Sequence, residues 1–416
     1  MPKNLIAIDA SPNLIAEDVM LSLKELFTPW NWNKKNYSRE LQDYFSKHYQ
    51  AREVLVTQSG RAALYILLST FLEPGDEVIT QAFTCLVVPN AIAWAGGVPV
   101  FADIDKKNYN IDLSSLEKKI TKKTKAVIVQ HTFGIPADLS EIQAICKKYG
   151  LMLIEDCAHA LGAEYDGKLL GSFGDGAIFS FNQDKVVSGI SGGALIIKNP
   201  EMAKKFKELR LNFQSPSNKH ILKSLLHPLI WFLALPSYSF LSIGKGIIFW
   251  AWKVHLLGNT VTPLEQKGEM PKEITESLSN PQARLVLQGL KRLERDNLRR
   301  IEIAKRYKKE LLALTSIIHP EEAKKTKPIY LRYPVQTDSP RGLLSLARNN
   351  GIILGKWYDQ PIFPWNETAQ KYYHLGECPL AERAGQKIIN LPTIPHLKDA
   401  DVDRIIKVIK QAYGKN

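Results

Sequence analysis

Lys185 has the surroundings of a lysine that could act as an amine nucleophile. It follows an apolar stretch that ends in Phe179, Ser180 and Phe181, and the glycine-rich run 188–193 comes soon after it. A lysine that is partly desolvated just beyond a buried strand can attack a carbonyl group and form a covalent link. Taken alone, the residue could equally be an ordinary surface lysine.

Asp156 offers a second chemically useful group. It ends the apolar strand that begins near Leu151, and side chains at the carboxyl end of a strand in an open α/β sheet face the ligand crevice. A partly buried carboxylate at that place stays ionised beside a cationic partner such as a protonated ring nitrogen. A helix cap is the alternative for an isolated aspartate here.

A small-residue turn at 58–63 offers an anion site. Gly60 and Arg61 follow a predicted strand and open a predicted helix, and the free amides and positive end of such a helix bind anions. A plain turn is the alternative when the segment is considered alone. The order of the three segments is more informative: an anion turn, an aspartate after a later strand, then a serine and a lysine after a further strand.

This order is found in fold-type-I pyridoxal phosphate enzymes, and over most of its length the chain resembles the DegT/StrS family of nucleotide-sugar aminotransferases. The matching stretches are PGDEVI at 74–79, FADID at 101–105, HTFG at 131–134, PAD at 136–138, EDCAHALGA at 155–163, FSF at 179–181 with Lys185, CPLAE at 378–382, LP at 391–392 and DADVD at 399–403. The resemblance implies an aminotransferase that uses pyridoxal 5'-phosphate, and a homodimer with active sites at the subunit interface.

The resemblance also implies roles for single residues. Lys185 would carry the cofactor through a covalent link and would later act as the general base. Asp156 would hold the protonated pyridine nitrogen. His159 falls where the family places a glutamine or a histidine near the cofactor's phenolic oxygen.

The phosphate and ring sites contain the main departures from the family pattern. Ser180 and the amides around Gly60 and Arg61 would bind the cofactor's phosphate, but the family usually has threonine where Arg61 stands. Arg61 would either pair with the phosphate or point elsewhere. Cys85 stands where many members have an aromatic residue that stacks on the pyridine ring, so either Phe83 takes over the stacking or the stacking is lost.

The alternation of short apolar runs with helical stretches predicts an α/β fold, with a large, mostly parallel sheet domain of the fold-type-I kind and a smaller C-terminal α/β domain. The predicted domains are 1–218, an apolar insertion at 219–262, and 263–416. The predicted strands are 54–56, 77–80, 98–101, 126–129, 152–155, 177–181, 193–197 and 329–334, and the predicted helices include 62–71, 88–95, 139–149 and about 282–310.

Composition limits the partners and the compartment. Lys and Arg number 55 against 42 Asp and Glu, and the net charge of +13 favours an anionic partner or substrate. We recognise no nucleic-acid-binding module, so nucleic acid is not expected as a partner. The four cysteines are far apart and suggest neither disulfides nor a thiolate metal site, and the N-terminal residues lack a signal peptide's apolar core. We therefore expect no metal and a cytoplasmic location.

The segment 220–258 has no counterpart in the family pattern. Residues 224–244 contain no Asp, Glu, Lys or Arg, and prolines interrupt the segment too often for a membrane-spanning helix of about 20 apolar residues. Its tryptophans and flanking lysines favour peripheral contact with the inner face of a membrane. An extra buried helical pair or a dimer contact is the alternative.

The leading functional hypothesis is transfer of an amino group from an amino acid, with glutamate favoured, to a nucleotide-linked keto-sugar in surface polysaccharide or glycoconjugate biosynthesis. A sugar dehydratase of the same family is an alternative, although that branch has histidine in place of Lys185. A catalytically silent, membrane-attached scaffold is another alternative, left open by Arg61 and Cys85. Region 272–279 replaces the family's stretch that reaches into the neighbouring subunit's site, which weakens the substrate assignment.

Overall fold

The computed structural model describes residues 5–8, 13–209, 213–238, 242–258 and 260–413. The strands are β1 Ile6–Ala7, β2 Glu53–Thr57, β3 Glu77–Gln81, β4 Thr84–Cys85, β5 Val98–Ala102, β6 Thr124–Gln130, β7 Met152–Asp156, β8 Glu164–Tyr165, β9 Lys168–Leu169, β10 Gly176–Ser180, β11 Gly193–Ile197, β12 Thr326–Lys327, β13 Arg332–Gln336, β14 Ile352–Ile353, β15 Ile362–Phe363 and β16 Ile388–Pro392. The α-helices are α1 Ala16–Leu26, α2 Tyr37–Tyr49, α3 Gly60–Leu68, α4 Val87–Trp94, α5 Leu113–Lys119, α6 Leu139–Tyr149, α7 Pro200–Glu208, α8 Asn218–Ala234, α9 Ile243–Lys253, α10 Pro263–Gln266, α11 Asn280–Leu290, α12 Leu293–Leu311, α13 Pro340–Asn349, α14 Glu367–Tyr372, α15 Pro379–Lys387 and α16 Asp399–Tyr413.

Seven strands form the central sheet, in the order β2-β11-β10-β7-β6-β3-β5. Neighbouring strands are parallel except β11, which runs antiparallel to both β10 and β2. The β-branched, continuous apolar character of these segments suits strands that are covered on both faces. The predicted α/β class and the mostly parallel large sheet are confirmed.

Helices cover both faces of this sheet. Residues of α3, α4 and α7 pack on one face, and residues of α2, α6 and α11 pack on the other. Phe45 and Leu67 are fully buried members of the two layers. Each such side chain contributes about 1.5–3 kcal/mol relative to an exposed position. The sheet is therefore a rigid platform for the groups at its edge.

The carboxyl ends of neighbouring parallel strands place three polar side chains at one edge of the sheet. Gln130 ends β6 directly opposite Asp156, which ends β7. Asp156 in turn pairs with Ile178 on β10, two residues before Ser180. Ligand crevices of open α/β sheets lie at this edge.

The C-terminal part has its own small sheet and core. Strands β13 and β16 pair antiparallel, and α12, α13 and α16 pack around them. The predicted long helix at 282–310 is two helices, α11 and α12, separated at Lys291 and Arg292. Ala283 and Val286 of α11 belong to the core of the large sheet, so this helix joins the two parts of the molecule.

The apolar insertion forms two helices. α8 runs through Pro228, and Ile221 and Leu225 near its start pack with Trp32 and with Leu285 of α11. α9 follows after a short connection in which 239–241 lie outside the described residues. Within the ranges that the structure describes, no helix combines the length and the apolar character that crossing a bilayer would require.

Candidate active site

A cavity of about 630 Å³ lies at the carboxyl edge of the central sheet. The side chains and turns that the sequence singled out meet on its wall. They are Gly60, Arg61, Cys85, Asp156, His159, Ser180 and Lys185. The structure thus brings together residues that are up to 125 positions apart in the chain.

Lys185 points at His159 within this cavity. The Lys185 Nζ lies 3.1 Å from the His159 Nε2. Burial, assisted by the positive charges of Lys185 and Arg332, lowers the pKa of His159 well below its usual value, so the ring is neutral. The amide of Phe133 donates to His159 Nδ1 over 3.3 Å, which assigns the single ring proton to Nε2. The Nε2 edge of the ring therefore faces the Lys185 amine.

Asp156 is held by two donors on the floor of the cavity. Gln130 Nε2 donates to one carboxylate oxygen over 3.0 Å, and the amide of Ala158 donates to the other over 3.0 Å. Burial raises the pKa of Asp156, while these hydrogen bonds and the positive charge of Lys185 act in the opposite direction. The carboxylate therefore occupies a site in which a further cation would stabilise its ionised form.

Gly60 and Ser180 lie together at the end of the cavity where the sequence predicts an anion site. Ser59 caps α3, because its hydroxyl accepts from the amide of Ala62 over 3.2 Å. A Cβ atom at Gly60 would lie 2.9 Å from the Cβ of Ser180, so only glycine allows this close approach. The Ser180 side chain consequently lies beside the first turn of α3, whose amides have no partners within the helix.

Arg61 lines the cavity, but its guanidinium is directed at the end of the insertion. It forms an ion pair with Glu265, which is fully buried, and a hydrogen bond to the carbonyl of Thr260. Glu265 also accepts from the amide of Thr262 over 2.7 Å at the start of α10. Of the two orientations that the sequence left open for Arg61, the structure has the one that points away from the anion-binding turn.

This ion pair gives a stability prediction. Glu265→Gln leaves the guanidinium of Arg61 without its countercharge in a mostly buried place, which typically costs about 3–5 kcal/mol. Urea unfolding should show a loss of that size, and Arg61→Thr in the same chain should restore part of it. The matched control is Glu117→Gln, which breaks the exposed, solvent-screened pair with Lys148 and should cost far less. Equal losses for the two single variants would refute the structural role of the pair.

The two candidates for the ring site differ in position. Cys85 lies on the cavity wall, and burial raises the pKa of its thiol. Phe83 is fully buried behind the wall, where its ring packs against Tyr109, Phe133 and Tyr358. Phe83 thus supports the wall and does not face the cavity.

Trp357 supplies an aromatic face that the sequence did not reveal. Its ring stacks on that of His159, with centroids 5.5 Å apart and planes 10° from parallel. The Lys185 Nζ lies 4.8 Å from the Trp357 ring centroid, and the Arg332 guanidinium packs 3.3 Å from the same centroid. The C-terminal part therefore closes one side of the cavity with an aromatic ring.

Three buried residues near the site are close enough together to suggest a metal. Donor atoms of His131, Glu155 and Cys157 lie within 4.8 Å of one another. The Glu155 carboxylate, however, accepts from the amides of Gly171, Phe173 and Gly174, each over 2.7 Å. We interpret Glu155 as a clamp on the loop after β9, because its oxygens are already satisfied by backbone donors.

Sequence reasoning missed several other wall residues. Gln130 could have been found, because a polar residue that ends a strand beside that of Asp156 must reach the same edge. Glu265 and His220 carry no comparable signal, since His220 lies in the predicted insertion and Glu265 lies just after it. His220 contacts Gln58 at the rim, which places the start of α8 against the anion-binding turn.

The model of the DegT/DnrJ/EryC1/StrS aminotransferase family matches residues 14–225 and 271–410. The "Pleiotropic regulatory protein" of Geobacillus stearothermophilus is 28% identical over 95% of this chain and 94% of its own length. The GDP-perosamine synthase of Caulobacter vibrioides is 26% identical over 97% of each chain. The crystal structure of S. venezuelae DesV covers 100% of both chains with a TM-score of 0.77 and 24% identity. The unmatched residues between the two parts of the family model include most of α8 and all of α9.

Proposed function

Because the chain belongs to the DegT/DnrJ/EryC1/StrS aminotransferase family, we propose that it transfers an amino group from an amino acid, with glutamate favoured, to a nucleotide-linked keto-sugar. The donor leaves as the 2-oxo acid and the acceptor leaves as the amino sugar. The proposed setting is the biosynthesis of surface polysaccharide or another glycoconjugate, and the proposed cofactor is pyridoxal 5'-phosphate. The observation that carries the proposal is the meeting of Lys185, Asp156 and Ser180 in one cavity.

The residues on the wall fit this cofactor. Lys185 offers the amine for its aldehyde, and the first turn of α3 with Ser180 offers a cradle for its phosphate. The strongest support comes from Asp156, because burial raises the pKa of this carboxyl and a protonated pyridine nitrogen would supply the missing positive charge. Trp357 and Cys85 would flank the ring, and His159 would lie near its phenolic oxygen.

The bound cofactor would supply an electron sink for the carbanion that forms at the donor's α-carbon. The residues of this chain perform the remaining tasks. Asp156 keeps the pyridine nitrogen protonated, and Gln130 and Ala158 keep Asp156 in place. Lys185 Nζ would take the proton from the donor's α-carbon as a general base and would return it to the carbon of the cofactor's former aldehyde group. His159, neutral and stacked on Trp357, orients Nζ for this transfer.

Lys185 also bears on the alternative reactions. The dehydratase branch of the family has histidine at this position, so the lysine favours amino transfer. A silent scaffold would need neither the two hydrogen bonds that hold Asp156 nor the 3.1 Å contact between His159 Nε2 and Lys185 Nζ. A purified protein that acquires no visible absorption when supplied with pyridoxal 5'-phosphate would support the silent scaffold.

We further propose that the protein acts in the cytoplasm as a homodimer, at the inner face of a membrane. The far-separated cysteines support a reducing compartment. The resemblance to dimeric aminotransferases supports the homodimer, and the apolar insertion with its lysines supports the membrane contact. Sedimentation velocity of the purified protein would test the dimer.

The visible spectrum of the purified protein tests the function. Protein supplied with pyridoxal 5'-phosphate and then freed of excess cofactor should keep a visible absorption band, as expected for a conjugated link to a lysine. Adding glutamate should bleach the band with release of one 2-oxo acid per site. A band that persists with every amino acid tested would refute the proposed amino transfer.

A further inference from the structure

Helices α8 and α9 expose several large apolar side chains. Phe232 and Leu233 at the end of α8 are 52% and 62% exposed. Phe249, Trp250 and Trp252 on α9 are 62%, 58% and 42% exposed. Concentrations of exposed apolar surface of this kind mark interaction sites. We call the two helices and their connection the α8–α9 hairpin, and these five residues are its exposed apolar side chains.

The hairpin is a fixed element. A Cβ atom at Gly244 would lie 2.0 Å from the carbonyl oxygen of Ala234 and 2.7 Å from the backbone of Tyr238, so the start of α9 lies directly against the end of α8. The start of α8 is buried against α1 and α11 through Ile221 and Leu225. The exposed aromatic residues are therefore presented in a set orientation.

The charge of the segment is one-sided. Residues 209–264 contain no Asp or Glu, whereas Lys219, Lys223, Lys245 and Lys253 lie among them. The Nζ of Lys253 lies 4.6 Å from the Trp250 ring centroid, and that of Lys245 lies 5.4 Å from the Tyr238 ring centroid. Aromatic rings beside lysines suit the headgroup region of a bilayer, and lysines without acidic neighbours suit anionic lipids.

From these observations we infer that the α8–α9 hairpin is a docking face for an anionic lipid bilayer. Phe232, Leu233, Phe249 and Trp250 enter the headgroup region, and Lys245 and Lys253 meet lipid phosphates. The inference gives the proposed membrane location a defined surface, and it holds whether or not the cavity performs amino transfer.

The hairpin adjoins the cavity at both of its ends. His220 in the first turn of α8 and Thr260–Glu265, which follow α9, line the cavity. The Arg61–Glu265 ion pair ties the second of them to the body. The enzyme would then work close to membrane-bound consumers of its product.

Co-sedimentation of the full-length, cofactor-supplied protein with vesicles tests the inference. Vesicles of phosphatidylcholine with phosphatidylglycerol should bind the protein, and binding should weaken with salt. Vesicles of phosphatidylcholine alone should bind it much less. Reversing the charge in Lys245→Glu with Lys253→Glu should reduce affinity by at least about 20-fold, since each lysine contributes about fivefold near an anionic surface. Lys371→Glu with Lys407→Glu, exposed and far in sequence, is the control with the same net charge.

The apolar contribution has its own matched pair of variants. Phe232→Ser, Leu233→Ser and Phe249→Ser together should abolish sedimentation with the vesicles. Leu298→Ser, Leu312→Ser and Leu375→Ser, which alter equally exposed apolar residues outside the hairpin, should leave it unchanged. Circular dichroism and bound cofactor would verify folding in each variant.

Two results would overturn the inference. One is an intact protein that stays in the supernatant with the anionic vesicles. The other is a triple hairpin variant that binds vesicles normally but sediments as a smaller species without lipid, which would make the hairpin a contact between copies of the chain. Neither result depends on the visible spectrum with glutamate. The docking face can therefore be refuted while the proposed amino transfer stands, and the reverse.

Discussion

Lys185→Ala should abolish amino transfer, with a fall in turnover of about 10³-fold or more, because Lys185 is the proposed amine nucleophile and the proposed general base. Lys185→Arg should be equally inactive, since a guanidinium keeps the positive charge but cannot form the covalent link. The measurement is glutamate-dependent release of 2-oxo acid under single-turnover conditions.

A surface lysine provides the control for that loss. Lys168→Ala alters an exposed residue on β9 and should retain normal turnover. The variants at Lys185 should still fold, because its Nζ makes contacts only at the cavity. A Lys185→Ala protein with near-normal turnover would exclude this residue as the reacting amine.

Asp156→Asn should lower turnover by about 10²–10⁴-fold while the protein still binds cofactor. The amide can still accept from Ala158, but it carries no charge to hold a proton on the pyridine nitrogen. The ring would then be a poorer electron sink. Stopped-flow absorbance with glutamate measures this half-reaction, and urea unfolding verifies stability.

The pKa of Asp156 gives this variant a second readout. Because burial raises the pKa of the carboxyl, the ionised form costs stability in the protein without cofactor, and that cost grows as pH rises through the titration of Asp156. Asp156→Asn should therefore lessen the fall in stability with rising pH. Asp166→Asn, at an exposed position, should change neither the rate nor the pH dependence. Near-normal turnover of Asp156→Asn would show that Asp156 is only a structural cap for the amide of Ala158 and the side chain of Gln130.

The central sheet could be predicted closely from the sequence. The predicted strand at 193–197 coincides with β11, and the predicted helix at 139–149 coincides with α6, which ends at Gly150 in the left-handed region. Long apolar runs bounded by turn residues leave little choice of structure. Because parallel strands share one carboxyl edge, the meeting of Asp156 with Ser180 follows from their places at strand ends.

The rest of the cavity wall could not be predicted, because it depends on packing between distant parts of the chain. Trp357 reaches His159 only because the C-terminal part folds back over the sheet. The sequence identifies Arg61 as a departure from the family pattern, but its partner Glu265 lies 204 residues away in a segment with no family counterpart. Phe83 could not be assigned to one side of the wall from spacing alone.

The attachment site of the cofactor tests the proposed function most directly. Borohydride treatment of the protein supplied with pyridoxal 5'-phosphate should reduce the covalent link and leave a stable pyridoxyl label, which peptide mapping can locate. We predict a label on the peptide that contains Lys185, one per chain, and no such label in Lys185→Arg. A label on a different lysine, or no label in protein that has retained the cofactor, would contradict the proposed site.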